Sequence, residues 1–486
     1  MKKIDSQQYA GIRVLVMGLG LHGGGVATVK WFVKRGALVT ATDLRTEEVL
    51  APSLRALEGV AVRLVLGRHE EADFREHDVI VANPGVPRSS PYLQIARDEG
   101  RKVVNDASIF FASCTNPSIG VTGTRGKTTT TQWIVEFLKT RYPKVRASGN
   151  TPENALLKEF DRVQGKHIPV VAELSSWQLE SLPDAGVSPR ISVITNLYPD
   201  HLNRYNNSLE EYALAKAGIF TQQGVNDILL LNADDSWLDF FLARAQQGQR
   251  VLFFSVKRLA TKHDGVYVDR EGMIWFRYEG EERKLFSSLR FVRERGAHNL
   301  HNLLAVLATV LLFDPGIRVT EAQARALPTP RMRQEIISQE AKISVVNDSC
   351  ATSPDGTIAA IERFAESGPL VLIVGGTDKQ LEFAGLAKSM KKMVPPAQVV
   401  FLSGSATTKL LDELATIKYF GKRTPLVFES LSECVTEAFD IARGLKKKSV
   451  LLFSPGGSSF EKFLHEFDRG DKFAQAVQRV LRVRKQ

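Results

Sequence analysis

The run Val121-Thr-Gly-Thr-Arg-Gly-Lys-Thr-Thr-Thr130 sets a lysine and a hydroxyl immediately behind a glycine-bearing turn. Ser118 to Val121 reads as a strand, and Thr131, Ile134, Val135 and Leu138 recur at helical spacing. Strand, turn and helix in that order surround an anion with backbone N–H groups and a helix N-terminus. Lys127 brings a mobile positive charge to the outer phosphates of a nucleotide. The Thr128 hydroxyl can ligate the Mg²⁺ that travels with ATP. The general pattern G-x-x-x-x-G-K-[ST] wants glycine where Val121 stands, so Gly123 is the usable first glycine. The strand–turn–helix context favours phosphate binding over a chance match.

Gly18-Leu-Gly-Leu-His-Gly23 also follows a strand and opens a helix, and Asp43 ends the next strand. That spacing suits a diphosphate held by the turn and a ribose held by the acid. NAD and a UDP-sugar look alike to such a turn. Glu173, at the end of an apolar strand, is a plausible Mg²⁺ ligand in a sheet that binds ATP. Asp200 and His201 follow another strand of that block and read equally as a polar loop or as a metal or phosphate site. Lys216 lies among small and apolar helix neighbours, Tyr212 to Phe220, where a lysine ordinarily reaches out to solvent.

The elements that must position these groups form an α/β chain of three blocks, 1–115, 116–329 and 330–486. A length of 486 residues exceeds what one core fills. The first block alternates strands at 13–17, 38–42, 62–66, 79–82 and 102–104 with helices, a Rossmann-like pattern. The second has strands near 118–121, 169–172, 191–195, 227–231 and 251–255, a P-loop type parallel sheet. Short segments at 265–269 and 273–278 read as a small β-meander, and a periodic helix spans 298–313. The third block is again Rossmann-like, with strands at 344–346, 370–374, 399–402, 425–428 and 450–453. With 43% hydrophobic and 24% charged residues the composition is that of a globular protein. No apolar run nears the roughly 18 residues that span a bilayer. Three scattered cysteines suit a reducing compartment, so a cytoplasmic location is expected. The net charge of +10 is dispersed, without an aromatic-interleaved stripe, which argues for anionic small molecules rather than nucleic acid or membrane.

Seven stretches in chain order resemble the Mur ligases, the ATP-dependent amide-forming enzymes of peptidoglycan precursor synthesis. They are Thr122 to Thr129, Glu173-Leu-Ser-Ser-Trp-Gln-Leu-Glu180, Asn196 to Arg204, Gly296 to Asn302, Asn347 to Thr352, Gly375 to Lys379 and Leu452 to Ser459. Asn83-Pro-Gly-Val-Pro87 and the second stretch are most similar to the branch that adds D-glutamate to UDP-N-acetylmuramoyl-L-alanine.

The resemblance implies that Leu21, His22, Asp43 and Arg45 hold the uridine diphosphate, with Asn150 and His201 also on the acceptor. Gly123, Thr124, Gly126, Lys127, Thr128 and Thr129 would take the ATP phosphates, and Asn299, Asn302, Arg333 and Asp348 the adenosine. Thr128 would ligate the Mg²⁺ of ATP, Glu173 and His201 a second metal between ATP and the acyl substrate, and Lys216 a metal once carbamylated, with Lys127, His201 and Lys216 at the reaction centre. Family members carry a carbamylated lysine at the position of Lys216. A lysine of ordinary pKa is neutral in roughly one molecule in 2,500 at pH 7, so reaction with CO₂ requires its apolar neighbours to depress that pKa. Thr352, Lys379 and Ser459 would hold the carboxylates of the incoming amino acid. The acceptor carboxylate would attack the γ-phosphate to give an acyl phosphate, which the amine then opens.

Two positions depart from the glutamate-adding pattern: Cys350 stands where lysine is common, and Glu466 where phenylalanine is. A rearranged pocket, or L-glutamate or another amino acid as substrate, would follow from losing a cation there. Other readings are a folylpolyglutamate-synthase-like ligase, an NAD(P)-dependent oxidoreductase and a nucleotide-regulated binding protein. The expected state is a monomer acting on small molecules.

Overall fold

The computed structural model describes residues 9–149 and 154–482. Its strands form three sheets, each flanked by helices, as the α/β reading expects.

The first sheet contains β1 (Arg13–Met17), β2 (Leu38–Asp43), β3 (Arg63–Leu66), β4 (Val79–Ala82) and β5 (Lys102–Val104). Their order is β3-β2-β1-β4-β5, and every pair is parallel. The chain winds outward from β1 to β3 and then returns to β4. The order therefore reverses between β1 and β4, and such switch points open a crevice at the carboxyl ends of the strands. The loops carrying Gly18 to Gly23 and Asn83 to Pro87 both leave from that crevice.

The second sheet comprises β6 (Ser118–Thr122), β7 (Ala147–Gly149), β8 (Val170–Glu173), β9 (Ile191–Ile194), β10 (Ile228–Asn232), β11 (Arg250–Ser255), β12 (Gly265–Val268), β13 (Met273–Tyr278) and β14 (Glu281–Ser287). Their order is β14-β13-β12-β11-β10-β9-β6-β8-β7. The expected meander is present and extends the central sheet. β12 pairs parallel with β11, and the antiparallel β13 and β14 continue the same sheet. β14 begins Glu281-Glu-Arg-Lys284 with all four residues exposed, and charges of this kind keep a sheet edge from pairing with other chains. Helices Lys127–Leu138 and His298–Phe313 bury Trp133, Ile134, Leu303 and Leu307 in one core with Ile119, Val121 and Leu230.

The third sheet holds β15 (Glu335–Gln339), β16 (Ile343–Asn347), β17 (Leu370–Val374), β18 (Val399–Leu402), β19 (Leu426–Phe428) and β20 (Ser449–Phe453). The order is β15-β16-β20-β17-β18-β19, with only β15 antiparallel to its neighbour. Alternate residues of β17 and β20 enter two different cores, one on each face of the sheet. This is why these strands read as unbroken apolar runs.

By packing, the chain divides into two compact units. One holds the first two sheets; the other holds Pro328 onward together with the short segments Pro199–Asn203 and Arg293–His298. Among the described residues no helix is long and apolar enough to cross a membrane.

Candidate functional site

In the first unit, the loop after β6 turns through Gly123 and Gly126 at positive φ and enters helix Lys127–Leu138. A side chain at Gly126 would drive its Cβ to 2.2 Å from Asn302 Oδ1, and one at Gly123 to 1.9 Å from Thr195 Oγ1. Conformation favours glycine at both positions, and close approach to Thr195 and the Asn196 backbone adds to it at Gly123. The first N–H groups of the helix have no intrahelical acceptor and face the loop, as a phosphate cradle needs. Lys127 Nζ arches back over it and donates to the carbonyls of Gly123 and Thr124 at 3.0 and 3.1 Å. Thr128 is half-buried at the helix start and Thr129 is buried. The Thr124 hydroxyl instead turns inward, accepting from Tyr198 N–H at 3.0 Å and lying 3.1 Å from the Tyr198 carbonyl. Asn302 and Asn299 sit three residues apart on helix His298–Phe313 and share a hydrogen bond of 3.1 Å. The expected adenosine pair thus lies directly beside the phosphate loop.

Lys216 does not reach solvent. Its helix, Leu209–Ala217, buries it to 1% exposure. Its ammonium donates to the Gly123 carbonyl at 2.8 Å and lies 4.4 Å from the Tyr212 ring centre. Glu173 ends β8 and is buried. Among the described residues, no group of three His, Cys, Asp or Glu side chains is placed to hold a metal. The Thr128 hydroxyl and the Glu173 carboxylate are oxygen donors of the kind Mg²⁺ takes beside nucleotide phosphates. Asn150 lies outside the described residues.

At the first sheet, Asp43 is buried and spends its two oxygens locally. It accepts from Gly20 N–H and Arg45 N–H, both at 2.9 Å, and ties the glycine loop to the end of β2. Arg45 Nη1 stands 3.6 Å from the same carboxylate with its side chain half exposed, while Leu21 is half-buried and His22 exposed. Arg204, which no motif marks for a role, donates to the carbonyls of Gly85 and Val86 at 3.1 and 3.0 Å and approaches Glu180 Oε2 at 3.5 Å. It fixes the Asn83–Pro87 loop to the second motif.

In the other unit, His201 adopts φ 53 and its N–H donates to Asp200 Oδ1 at 3.0 Å. Within that unit Lys379 Nζ is 4.0 Å from the same oxygen. Loops at the carboxyl ends of β16, β17 and β20 are laced together. Thr377 and Ser458 exchange two backbone hydrogen bonds of 2.9 Å, and Gly456 N–H donates to Ala351 O at 3.0 Å. Thr352, Lys379 and Ser459 are thereby gathered at one sheet end. The hydroxyls of Ser458 and Ser459 are buried without a hydrogen-bond partner among the described residues. A buried polar group left this way costs roughly 1–3 kcal/mol unless a ligand satisfies it. Asp348 accepts from Ser454 Oγ at 2.7 Å and Gln334 N–H at 3.0 Å. Burial nonetheless pushes its carboxyl up to about 7. Arg333 lies between Met332 and Gln334, both at positive φ.

The departure at 350 has a structural counterpart, while nothing in the structure explains Glu466. Burial pushes the Cys350 thiol up to about 12, so it stays neutral. Beside it Arg469, wholly buried, donates to Ser349 Oγ and O at 3.1 and 2.7 Å and to the carbonyls of Gly457 and Ser458 at 3.0 and 2.8 Å. Burial lowers its pKa to about 10, which still leaves it charged at neutral pH. Among the described residues no carboxylate pairs with it. A positive charge therefore lies beneath the Ser459 loop, supplied from helix Glu466–Arg482 rather than from position 350. An arginine within a helix carries no mark in the sequence that distinguishes it from a solvated one.

Three family profiles match in succession: "Mur ligase MurD-like, N-terminal domain" over residues 12–105, "Mur ligase middle domain" over 121–310, and "Mur ligase, glutamate ligase domain" over 332–457. A UDP-N-acetylmuramoylalanine–D-glutamate ligase of Roseiflexus sp. is 38% identical over 479 residues, covering 97% of this chain and 99% of that protein. The enzyme of that name from Borreliella afzelii is 33% identical, over 96% and 97% of the two chains. Among solved structures, UDP-N-acetylmuramate-alanine ligase of Thermotoga maritima superposes with a TM-score of 0.59 at 20% identity, covering 96% of this chain and all of that one. The MurF ligase of Thermotoga maritima in complex with ADP gives 0.56 at 18%, over 99% and 97%.

Proposed function

The chain belongs to the Mur ligase family, and on that premise we propose that it uses ATP to join D-glutamate to UDP-N-acetylmuramoyl-L-alanine in peptidoglycan precursor synthesis. The observation that carries the reading is the loop after β6, whose Gly123 carbonyl gathers Lys127 and Lys216. In this reading the first glycine turn takes a UDP-linked acceptor rather than NAD(P), and Leu21, His22, Asp43, Arg45, Asn150 and His201 would hold it.

The acceptor's alanyl carboxylate is a poor electrophile and must first be activated. One of its oxygens would bond to the γ-phosphorus as the bond to ADP breaks, giving an acyl phosphate. Lys127 and the loop N–H groups would neutralise the transferring phosphoryl oxygens. Mg²⁺, bound through Thr128, Glu173, His201 and a carbamylated Lys216, would supply further charge neutralisation. Asn299, Asn302, Arg333 and Asp348 would orient the adenosine. The amine of glutamate would then attack the acyl carbon, phosphate would leave, and the nitrogen would shed a proton.

Glutamate would be held by Thr352, Lys379 and Ser459. The charge of Arg469 beneath that loop favours a dianionic amino acid over a neutral one. Domain limits near 115 and 329 accompany this reading, as does a reducing, cytoplasmic setting for three buried, unpaired cysteines.

Phosphate release from ATP, measured with the UDP-muramoyl-alanine acceptor against a panel of D- and L-amino acids, tests it. Turnover confined to D-glutamate is expected. Turnover with another amino acid, or with none, would overturn the assignment.

A further inference from the structure

Asn196, on the strand-end loop next to the phosphate loop, grips the backbone of Arg125 within that loop. Its Oδ1 accepts from Arg125 N–H at 2.8 Å and its Nδ2 donates to Arg125 O at 3.2 Å. Its own backbone carbonyl accepts from Thr124 N–H at 2.9 Å. Thr195 Oγ1 adds a second donor to the Arg125 carbonyl at 2.6 Å. This loop is braced in turn by the end of β10, where Asn232 Nδ2 donates to Thr195 O at 3.0 Å and Asp235 Oδ2 accepts from Leu197 N–H at 2.8 Å. Because β10, β9 and β6 are neighbours in the sheet, three successive strand ends form a single brace.

A trans peptide points its C=O and N–H in opposite directions. Holding the Arg125 carbonyl toward Asn196 and Thr195 therefore turns the Gly126 N–H the other way, away from that strand-end loop. A released peptide could rotate and present its carbonyl, a partial negative charge, to the phosphates instead. We propose that Asn196, assisted by the Thr195 hydroxyl, is a positioning residue for nucleotide binding that fixes the Arg125–Gly126 peptide with its N–H facing the anion. This rests on the reading that the loop binds ATP, and the test separates the two.

Binding of a fluorescent ADP analogue to the full chain is measured for the native sequence and for Asn196→Ala, Asn196→Asp, Thr195→Val and Thr195→Ser. Asn196→Ala removes both side-chain contacts. Asn196→Asp keeps the acceptor but not the donor, and serves where the alanine variant folds poorly. Thr195→Ser keeps the hydroxyl that Thr195→Val lacks. Both Asn196 variants should weaken binding tenfold or more, Thr195→Val severalfold, and Thr195→Ser less than twofold. In turnover the KM for ATP should rise while that for the amino acid stays within twofold, a split that general loosening of the fold would not give. Native chain that fails to bind the analogue overturns the underlying reading. Native chain that binds it no better than both Asn196 variants overturns the role of Asn196 alone.

Discussion

Lys127 and Lys216 aim their ammonium groups at the same atom, the carbonyl oxygen of Gly123, from 3.0 and 2.8 Å. Sharing one acceptor keeps the two nitrogens close, and like charges held that close repel. Converting the Lys216 amine to a carbamate replaces that repulsion with attraction and creates a carboxylate-like metal ligand. Chain incubated with ¹³C-bicarbonate should therefore give a carbamate carbon resonance that Lys216→Ala lacks. The variant should lose ligase turnover and regain part of it with added short carboxylic acids; absence of rescue would count against the carbamate.

Lys127 is the only one of the pair whose helix start faces the phosphate loop, so its removal acts on transfer itself. Lys127→Ala should lower the rate of ADP formation by about 100-fold or more, in line with losing one preorganised donor to a developing charge. Binding of the UDP-linked acceptor, followed by calorimetry, should change little. A variant that still forms ADP at a near-native rate would remove Lys127 from the mechanism.

Lys379 lies in the laced loops of the third sheet, away from the phosphate loop in sequence and in unit. If it binds the amino acid's carboxylate, Lys379→Ala should raise the KM for that substrate by roughly 10- to 100-fold, the loss of one charge-assisted contact. The KM for ATP should stay within about twofold. Equal effects on both would discard the assignment.

Asp348 gives a pH signature. Its carboxyl titrates near 7 in the folded chain, against about 3.9 when unfolded. The folded state thus favours the protonated form. Its contribution to stability is fully present below about pH 4 and is lost as the pH rises to about 7. Asp348→Asn should melt higher than the native chain at pH 8, with the gap closing toward pH 4. A gap that widens on acidification would contradict the shift.

Much of this was legible in the sequence because it depends on local order. The phosphate loop announces itself by a strand, two glycines and a lysine within ten residues, and helix His298–Phe313 by unbroken periodicity. β7, Ala147–Gly149, offers no apolar alternation to detect, and β14 is mostly charge; both are defined only by their partners in the sheet. The inward turn of Lys216 is equally invisible, since a helical lysine among alanines reads the same whether it meets water or a carbonyl. The spacing marks Asp43, but its clamp on the two N–H groups depends on how β2 abuts the glycine loop. Arg469 and Asn196 act through backbone carbonyls far away in sequence, which no motif records.

The backbone stitches from Thr377 to Ser458 and from Gly456 to Ala351 make three strand ends move as a cassette. Retargeting this chain to a differently shaped amino acid by point substitution would set one loop against the other two. On the proposed amino-acid site, a grafted preference would therefore have to travel with all three segments and the arginine beneath them.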